Sequence, residues 1–535
     1  MTGLESKQAS TPRRQILFLL ALSAVMALLI DLSAYRLIFA HPLDDQSWLL
    51  YAAGRMLLGT QLYGPTLIET NPPLIIWFSA LPDLLAKLLH ASPLRMLQAV
   101  VCVLIALSTA WSLRILRSAG MASGKVMTCL TVIVILAIES SCTNSSDFGQ
   151  REHLLVLLLL PYVLAAILNA ETTLGSLERI TLGLAAGLAI CFKPQQALIV
   201  IGLELCLTLW HRKAQRLWRL ETISVTATVL AYGLLVQFAT PLYIHQIVPL
   251  LRDTYLPYSY LPITQLLNGI LPYILCWPAV FCVWLWRRDS LRVPCAPLCL
   301  LACSLCAAVA YCLQHKGFNY QTTPQDAFLL LAAAWLLMEY LRPLVTQRFT
   351  ARKSRTNLVI ATLLCLLLIM PALVIHGLRN LAMWQTPSFP QTVLSRYPPG
   401  TPVYIFSMSL LGFHPVLEDH LFWASRYNHL WLLPAIALNE AAETGGPSAI
   451  KPLPPARVHQ LADLLRETVV EDLHRWKPQV VLIERCTPTH ECQGLNISSF
   501  DTLAWFLRSP SFSAEWKNYR RQQGDDTYDV YTRAD

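Results

Sequence analysis

Charge is scarce in this chain. Asp, Glu, Lys and Arg make up 14% of its 535 residues, about half the usual share, while 55% are hydrophobic. That balance excludes the three or four soluble domains the length alone would allow. Internal repeats and low-complexity tracts are also missing, which removes solenoids and disordered arrays. No Cys/His cluster has zinc spacing. Cysteines such as Cys299, Cys303 and Cys306 lie inside apolar runs, where small buried thiols are common. A convincing cleavage site is absent after Ile16–Ala34, and that run is too long for a signal peptide, so it reads as an uncleaved first span.

What the chain has is apolar runs near the ~20-residue spanning length. After Ile16–Ala34 they fall at roughly Leu94–Ile115, Val126–Ser140, Leu154–Ala170, Ile180–Phe192, Ala197–Trp210, Thr222–Ala239, Leu267–Trp286, Pro294–Leu313, Ala327–Leu341 and Leu358–Ile375. The expected fold class is a polytopic α-helical membrane protein with about eleven transmembrane helices. Leu74–Leu89 is short and broken by Pro82, Asp83 and Lys87, which suits a re-entrant or interfacial helix.

The net charge of +8 is not a nucleic-acid signal, because the basic residues concentrate in short connections. HRKAQRLWR (211–219) and RPLVTQRFTARKSR (342–355) are the clearest. The positive-inside rule then places the N-terminus in the cytoplasm and the 38–93 loop outside. An odd number of spans puts residues 378–535 outside as well, across the inner (plasma) membrane. That tail has ordinary composition. Pro402–Met408, Gln479–Glu484 and Tyr528–Thr532 read as strands and Ala456–Trp476 as a helix, so a membrane region (1–377) and an extracytoplasmic α/β domain (378–535) are expected. Cys486 and Cys492 are near neighbours there, and an oxidising compartment would let them pair. Asn144-Ser-Ser and Asn496-Ile-Ser match the weak glycosylation pattern.

This orientation gathers the chemically mixed sequence on one side. The first outside loop holds Asp44, Asp45, Trp48, Tyr63, Glu69 and Asn71. Other outside stretches hold Asp147, Arg151, Glu152 and His153, then Lys193, Arg252, Lys316 and Tyr320. Polar backbone and charge at membrane depth persist where they line protein or a wet cavity. The lone cations Arg151, Lys193, Arg252 and Lys316 suit an anionic lipid phosphate, and snorkelling to headgroups is the competing reading. Carboxylates of the first loop suit a general base. Tyrosines, including Tyr255, Tyr258 and Tyr260, suit stacking on sugars or an interfacial aromatic belt. A histidine such as His153 more often serves structure than ligation.

The acidic pair, the Trp48–Ala52-Ala53–Gly59-x-x-x-Tyr63 stretch and Asn71-Pro-Pro73 together resemble the GT-C superfamily of membrane glycosyltransferases. Similarity is greatest to bacterial dolichyl-phosphate-mannose protein mannosyltransferase-like and aminoarabinose-transferase-like enzymes. Asp147–His153, Lys193-Pro-Gln195 and Lys316–Tyr320 resemble patterns in bacterial members, although a His expected after Tyr320 is Gln321. The resemblance implies an inverting glycosyltransferase. Its donor would be a polyprenyl-phosphate sugar and its acceptor an envelope glycan, lipid or protein, at the outer face among membrane lipids. It also implies a catalytic base at Asp44 or Asp45. Asp44 is the expected base and Asp45 the cap of the Trp48–Leu58 helix or a substrate contact. Some members use a divalent metal, for which Glu69, Asp147 and Glu152 are the outside acids. The alternative is a transporter or flippase for lipid-linked sugars, or a scaffold. It lacks the repeat symmetry a transporter should have.

Overall fold

The computed structural model describes residues 44–141, 147–169, 173–255, 257–346, 388–446, 449–492, 494–495, 497 and 499–534. The expected spans Ile16–Ala34 and Leu358–Ile375, with Asn144 and Asn496, lie outside the described residues.

The described part is mostly helical. Helix α1 (Asp44–Leu57) buries Trp48, Leu49, Leu50, Ala52 and Ala53. A turn through Gly59, at φ +91°, reverses the chain after it. Helix α2 (Pro73–Leu89) starts on a proline, whose fixed φ and missing N–H fit the first helical position. It ends at His90 in the left-handed conformation, with that backbone N–H donating to Ala86 O. Helix α3 (Pro93–Ser118) is capped by Ser92, whose hydroxyl accepts the Arg95 N–H at 3.3 Å. Then follow α4 (Lys125–Glu139), α5 (Arg151–Ile167), α6 (Ser176–Phe192), α7 (Ala197–His211), α8 (Leu220–Ala239), α9 (Val248–Thr254), α10 (Ile263–Arg287), α11 (Cys295–Gln314) and α12 (Thr323–Thr346).

By length and composition, four helices among the described residues can cross a membrane: Pro93–Ser118, Leu220–Ala239, Ile263–Ser290 and Cys295–Gln314. They carry exposed apolar side chains such as Leu230, Leu234, Phe238, Leu271 and Leu275. Apolar surface of that extent needs an apolar solvent. Helices α6 and α8 approach closely at Gly183, where an added Cβ would stand 2.3 Å from Glu221 O. Small residues permit such contact between membrane helices.

The C-terminal part contains α13 (Phe389–Leu394), β1 (Pro402–Phe406), α14 (Phe413–Glu418), β2 (Phe422–Trp423), α15 (Leu433–Glu443), α16 (Pro455–Trp476), β3 (Val480–Glu484), α17 (Thr502–Leu507), α18 (Pro510–Trp516), β4 (Tyr519–Gln522) and β5 (Tyr528–Arg533). One sheet runs in the order β2-β1-β3-β5-β4. β1 pairs in parallel with β2 and β3, and β5 is antiparallel to β3 and β4. Val480–Glu484 is buried throughout, the pattern of a strand covered on both faces. Helix α16 buries Val458, Leu461, Leu465, Val469 and Leu473 along one stripe. Cys486 and Cys492 form a disulfide.

One hydrophobic core continues from α1 and α2 into the sheet, from Trp48, Leu50 and Ile76 to Phe406, Trp423 and Leu482. Backbone N–H groups of Trp423 and Ile68 donate to Tyr51 Oη (2.9 Å) and Arg426 O (2.8 Å). Tyr258 Oη donates to Met408 O at 2.9 Å, and Ser92 Oγ to Glu418 Oε1 at 2.6 Å. These bonds hold the sheet against the mouth of the helices.

Candidate functional site

A cavity of about 310 Å³ lies where the two parts meet. Its polar wall comes from Asp44, Asp45, Asn71, Asp147, Gln150, Arg151, Tyr255, Tyr258 and Tyr320, and its apolar wall includes Trp48, Leu49 and Phe318. The sheet part adds Leu410, Leu411, Asn428 and His429.

The two adjacent aspartates do different things. Asp44 Oδ1 accepts the backbone N–H of Phe413 at 2.7 Å and of His414 at 3.3 Å, at the start of α14. It therefore caps a helix of the other part, not its own. Burial pushes its carboxyl up to about 6, against the lowering effect of these hydrogen bonds. Asp45 is more open. Its Oδ2 accepts from Gln150 Nε2 at 2.9 Å and stands 3.9 Å from Arg151 Nη2. The capping contact expected of Asp45 on its own helix is thus made by Asp44, and on α14 instead.

Arg151 opens α5 directly after a turn at Gly149, whose φ is +80° and whose added Cβ would meet Val101 at 3.2 Å. Its side chain is nearly buried, and its Nε has no hydrogen-bond partner among the described residues. The guanidinium carbon lies 5.9 Å from the centre of the Tyr320 ring. A buried guanidinium with unused donors facing a cavity is suited to an anion.

A supporting layer fixes this wall. Glu69 is fully buried. Its carboxylate accepts from the Trp48 indole N–H, from Asn71 N at 2.8 Å and from Asn71 Nδ2 at 2.6 Å. Tyr63 Oη donates to Asn71 O at 2.5 Å. Glu69 and Tyr63 therefore orient Trp48 and Asn71 and do not line the cavity. Lys193 Nζ pairs with Glu152 at 2.9 Å and lies 5.7 Å from the Tyr320 ring centre, behind the wall. His153 accepts from Gly149 N at 3.1 Å and lies 2.6 Å from Glu139 O, a structural placement.

Of the four cations expected to hold phosphate only Arg151 lines the cavity; Arg252 and Lys316, like Lys193, do not. Arg252 has a side chain 77% exposed, next to Asp253 at 3.6 Å, and is not part of the cavity. Lys316 Nζ donates to Tyr255 O at 2.5 Å and to Tyr258 O, and lies 4.5 Å from the Tyr255 ring centre. Burial pushes that amine down to about 7. It braces the tyrosine-bearing wall from behind. Among the described residues no three His, Cys, Asp or Glu side chains converge as a metal set, so the acids Glu69, Asp147 and Glu152 do not fit a shared cation. Gln150, Phe318, Asn428 and His429 were missed by sequence reading. Gln150 sits beside the noticed Arg151; nothing in the spacing points to Asn428 or His429.

No protein-family profile and no curated protein matches the chain. Among solved structures it is similar to ArnT from Cupriavidus metallidurans in the apo state, with TM-score 0.50 and 13% identity over 96% of this chain and 98% of that one. It is also similar to the same protein bound to undecaprenyl phosphate, with TM-score 0.46 and 13% identity over 96% and 98%. A third is the archaeal oligosaccharyltransferase AglB from Archaeoglobus fulgidus, in complex with an inhibitory peptide and a dolichol-phosphate, with TM-score 0.49 and 10% identity over 93% and 72%. At such identities the likeness is one of fold alone.

Proposed function

We propose that the chain is a glycosyltransferase. It moves a sugar from a polyprenyl-phosphate donor to a hydroxyl of an envelope glycan, lipid or protein, at the outer face of the inner membrane. The observation that carries this reading is the pairing of Asp45 with the nearly buried Arg151 on one cavity wall. The ArnT likeness in fold supports it, and about eleven spans with the sheet part outside is the topology it requires.

In this reading Arg151 takes the donor phosphate, with charge-assisted bonds from the donors it leaves free. The acceptor hydroxyl lies against Asp45. As its oxygen bonds to the anomeric carbon, the bond from that carbon to phosphate oxygen breaks. The hydroxyl proton passes to Asp45, and polyprenyl phosphate leaves with its charge opposite Arg151. Gln150 holds Asp45 in place through the 2.9 Å hydrogen bond. Tyr255, Tyr258 and Tyr320 offer faces to the sugar. A cavity of about 310 Å³ is at the small end of ligand sites, enough for one sugar.

The test is mass spectrometry of envelope glycolipids and glycoproteins from cells with and without the gene. One glycan addition should vanish on deletion and return with the wild-type gene but not with Asp45→Asn. Identical profiles in all strains would refute the reading.

A further inference from the structure

The sheet part contributes one polar ring to the cavity whose role the transfer chemistry leaves open. His429 is 7% exposed, and neither Nδ1 nor Nε2 has a hydrogen-bond partner among the described residues. Its position is well fixed. The adjoining Leu430 N donates to Ser407 O at 2.8 Å, and Asn428 Oδ1 accepts the His429 N–H at 3.0 Å. Its ring centre lies 5.3 Å from that of Tyr258, which is itself tied to Met408 O.

Burial holds this imidazole far down, at about 3. It is neutral at physiological pH, with one nitrogen a donor and the other an acceptor. A phosphate wants donors and positive charge, which Arg151 supplies on the same cavity. A sugar hydroxyl both donates and accepts, and so matches a neutral imidazole. An unpaired polar ring in a buried wall destabilises the free protein, and a ligand hydroxyl relieves that.

We infer that His429 is a specificity-determining contact for the sugar of the donor, reading one of its hydroxyls from the wall that the sheet part supplies. The inference rests on the proposed function. With the phosphate at Arg151, the attached sugar lies within the same small cavity, so the donor and not a distant acceptor group is the occupant assigned.

The test measures binding of bare undecaprenyl phosphate and of a panel of undecaprenyl-phosphate hexoses and pentoses. The proteins are the full-length wild type, His429→Phe and His429→Gln, each in nanodiscs. The wild type should prefer one sugar-loaded lipid over the bare lipid. His429→Phe should lower that preference about tenfold, the loss of one hydrogen bond to ligand, with bare-lipid affinity unchanged within about twofold. His429→Gln, which keeps a donor and an acceptor, should retain part of the preference. The ligand-free Phe variant should melt at or above the wild-type temperature, because it removes unpaired polar atoms without leaving a hole. An unchanged preference in His429→Phe overturns the inference alone. So does a Phe variant that melts lower or fails to fold, since that marks a structural histidine. A wild type that binds no undecaprenyl-phosphate lipid overturns the proposed function itself, and the inference with it.

Discussion

Replacing Asp44 by Asn separates the roles of the two adjacent acids most sharply. Desolvation moves the Asp44 carboxyl from 3.8 to about 6 in the folded protein. Ionising it in place therefore costs about 3 kcal/mol relative to an exposed aspartate. The folded state binds this proton more tightly than the unfolded chain does. Its stabilising effect is complete below about pH 4, is lost as pH rises towards 6, and is absent at neutral pH. Asparagine keeps an oxygen to accept the Phe413 and His414 N–H groups and carries no charge. Thermal unfolding of the purified protein, followed by tryptophan fluorescence, should find the two proteins closest at the acid end of the accessible range. By pH 7.5 the Asn variant should be more stable, by up to about 3 kcal/mol. The same preparations should retain transfer activity. Asp45→Asn should show no such gain and should lose roughly 100- to 10,000-fold in turnover, the range for a general base. An Asp44→Asn protein that melts below wild type at pH 7.5, or transfer that survives Asp45→Asn and dies with Asp44→Asn, would refute the reasoning.

Arg151→Ala should weaken polyprenyl-phosphate binding roughly ten- to hundredfold, the worth of about 1.5–3 kcal/mol for a charged hydrogen bond. Arg252→Ala should leave it within about twofold, as titration of both variants with undecaprenyl phosphate will check. Lys316, held down from 10.5 to about 7, resists protonation in the fold, so its contribution is full above about pH 10.5 and is lost as pH falls from there to about 7. The melting temperature, followed by tryptophan fluorescence, should fall as pH drops from about 10 to 7, and Lys316→Gln should flatten that response; an equal slope in both proteins would contradict it. Cys486 and Cys492 should resist alkylation until reductant is added, and replacing both by Ser should cost on the order of 2 kcal/mol; free labelling without reductant would contradict the disulfide.

Periodicity and apolar run length made the helices legible, because each is a local property. Leu220–Ala239 and Cys295–Gln314 lie within two residues of the expected runs at each end. β1, β3 and β5 were likewise legible as apolar stretches between turns. β4 was not: only Tyr519 of Tyr519–Gln522 is buried, so the strand has no apolar alternation to read. The first loop drew attention to Asp44, Asp45, Trp48 and Asn71, and all four line the cavity. Their division of labour was hidden, because the partner of Asp44 is the backbone of Phe413, far along the chain. Lys316 and Arg252 misled for a related reason. A lone cation announces a need for an anion or an oxygen, and in Lys316 the oxygens are the carbonyls of Tyr255 and Tyr258, far back along the chain. Nothing local distinguishes those cases.

The order of the sheet has a consequence for life at high crowding beside a membrane. Every open sheet leaves two rows of unpaired backbone groups that can recruit a strand from another chain. Here one border is the two-residue strand Phe422–Trp423, too short to act as a template. The other is β4, whose Arg520 and Arg521 are exposed and would set positive charge against an identical incoming edge. Neighbouring copies therefore repel at the one border long enough to zip together, chiefly through Arg520, since Arg521 is paired with Asp529 at 2.6 Å, and the sheet can stay a solitary wall over its cavity.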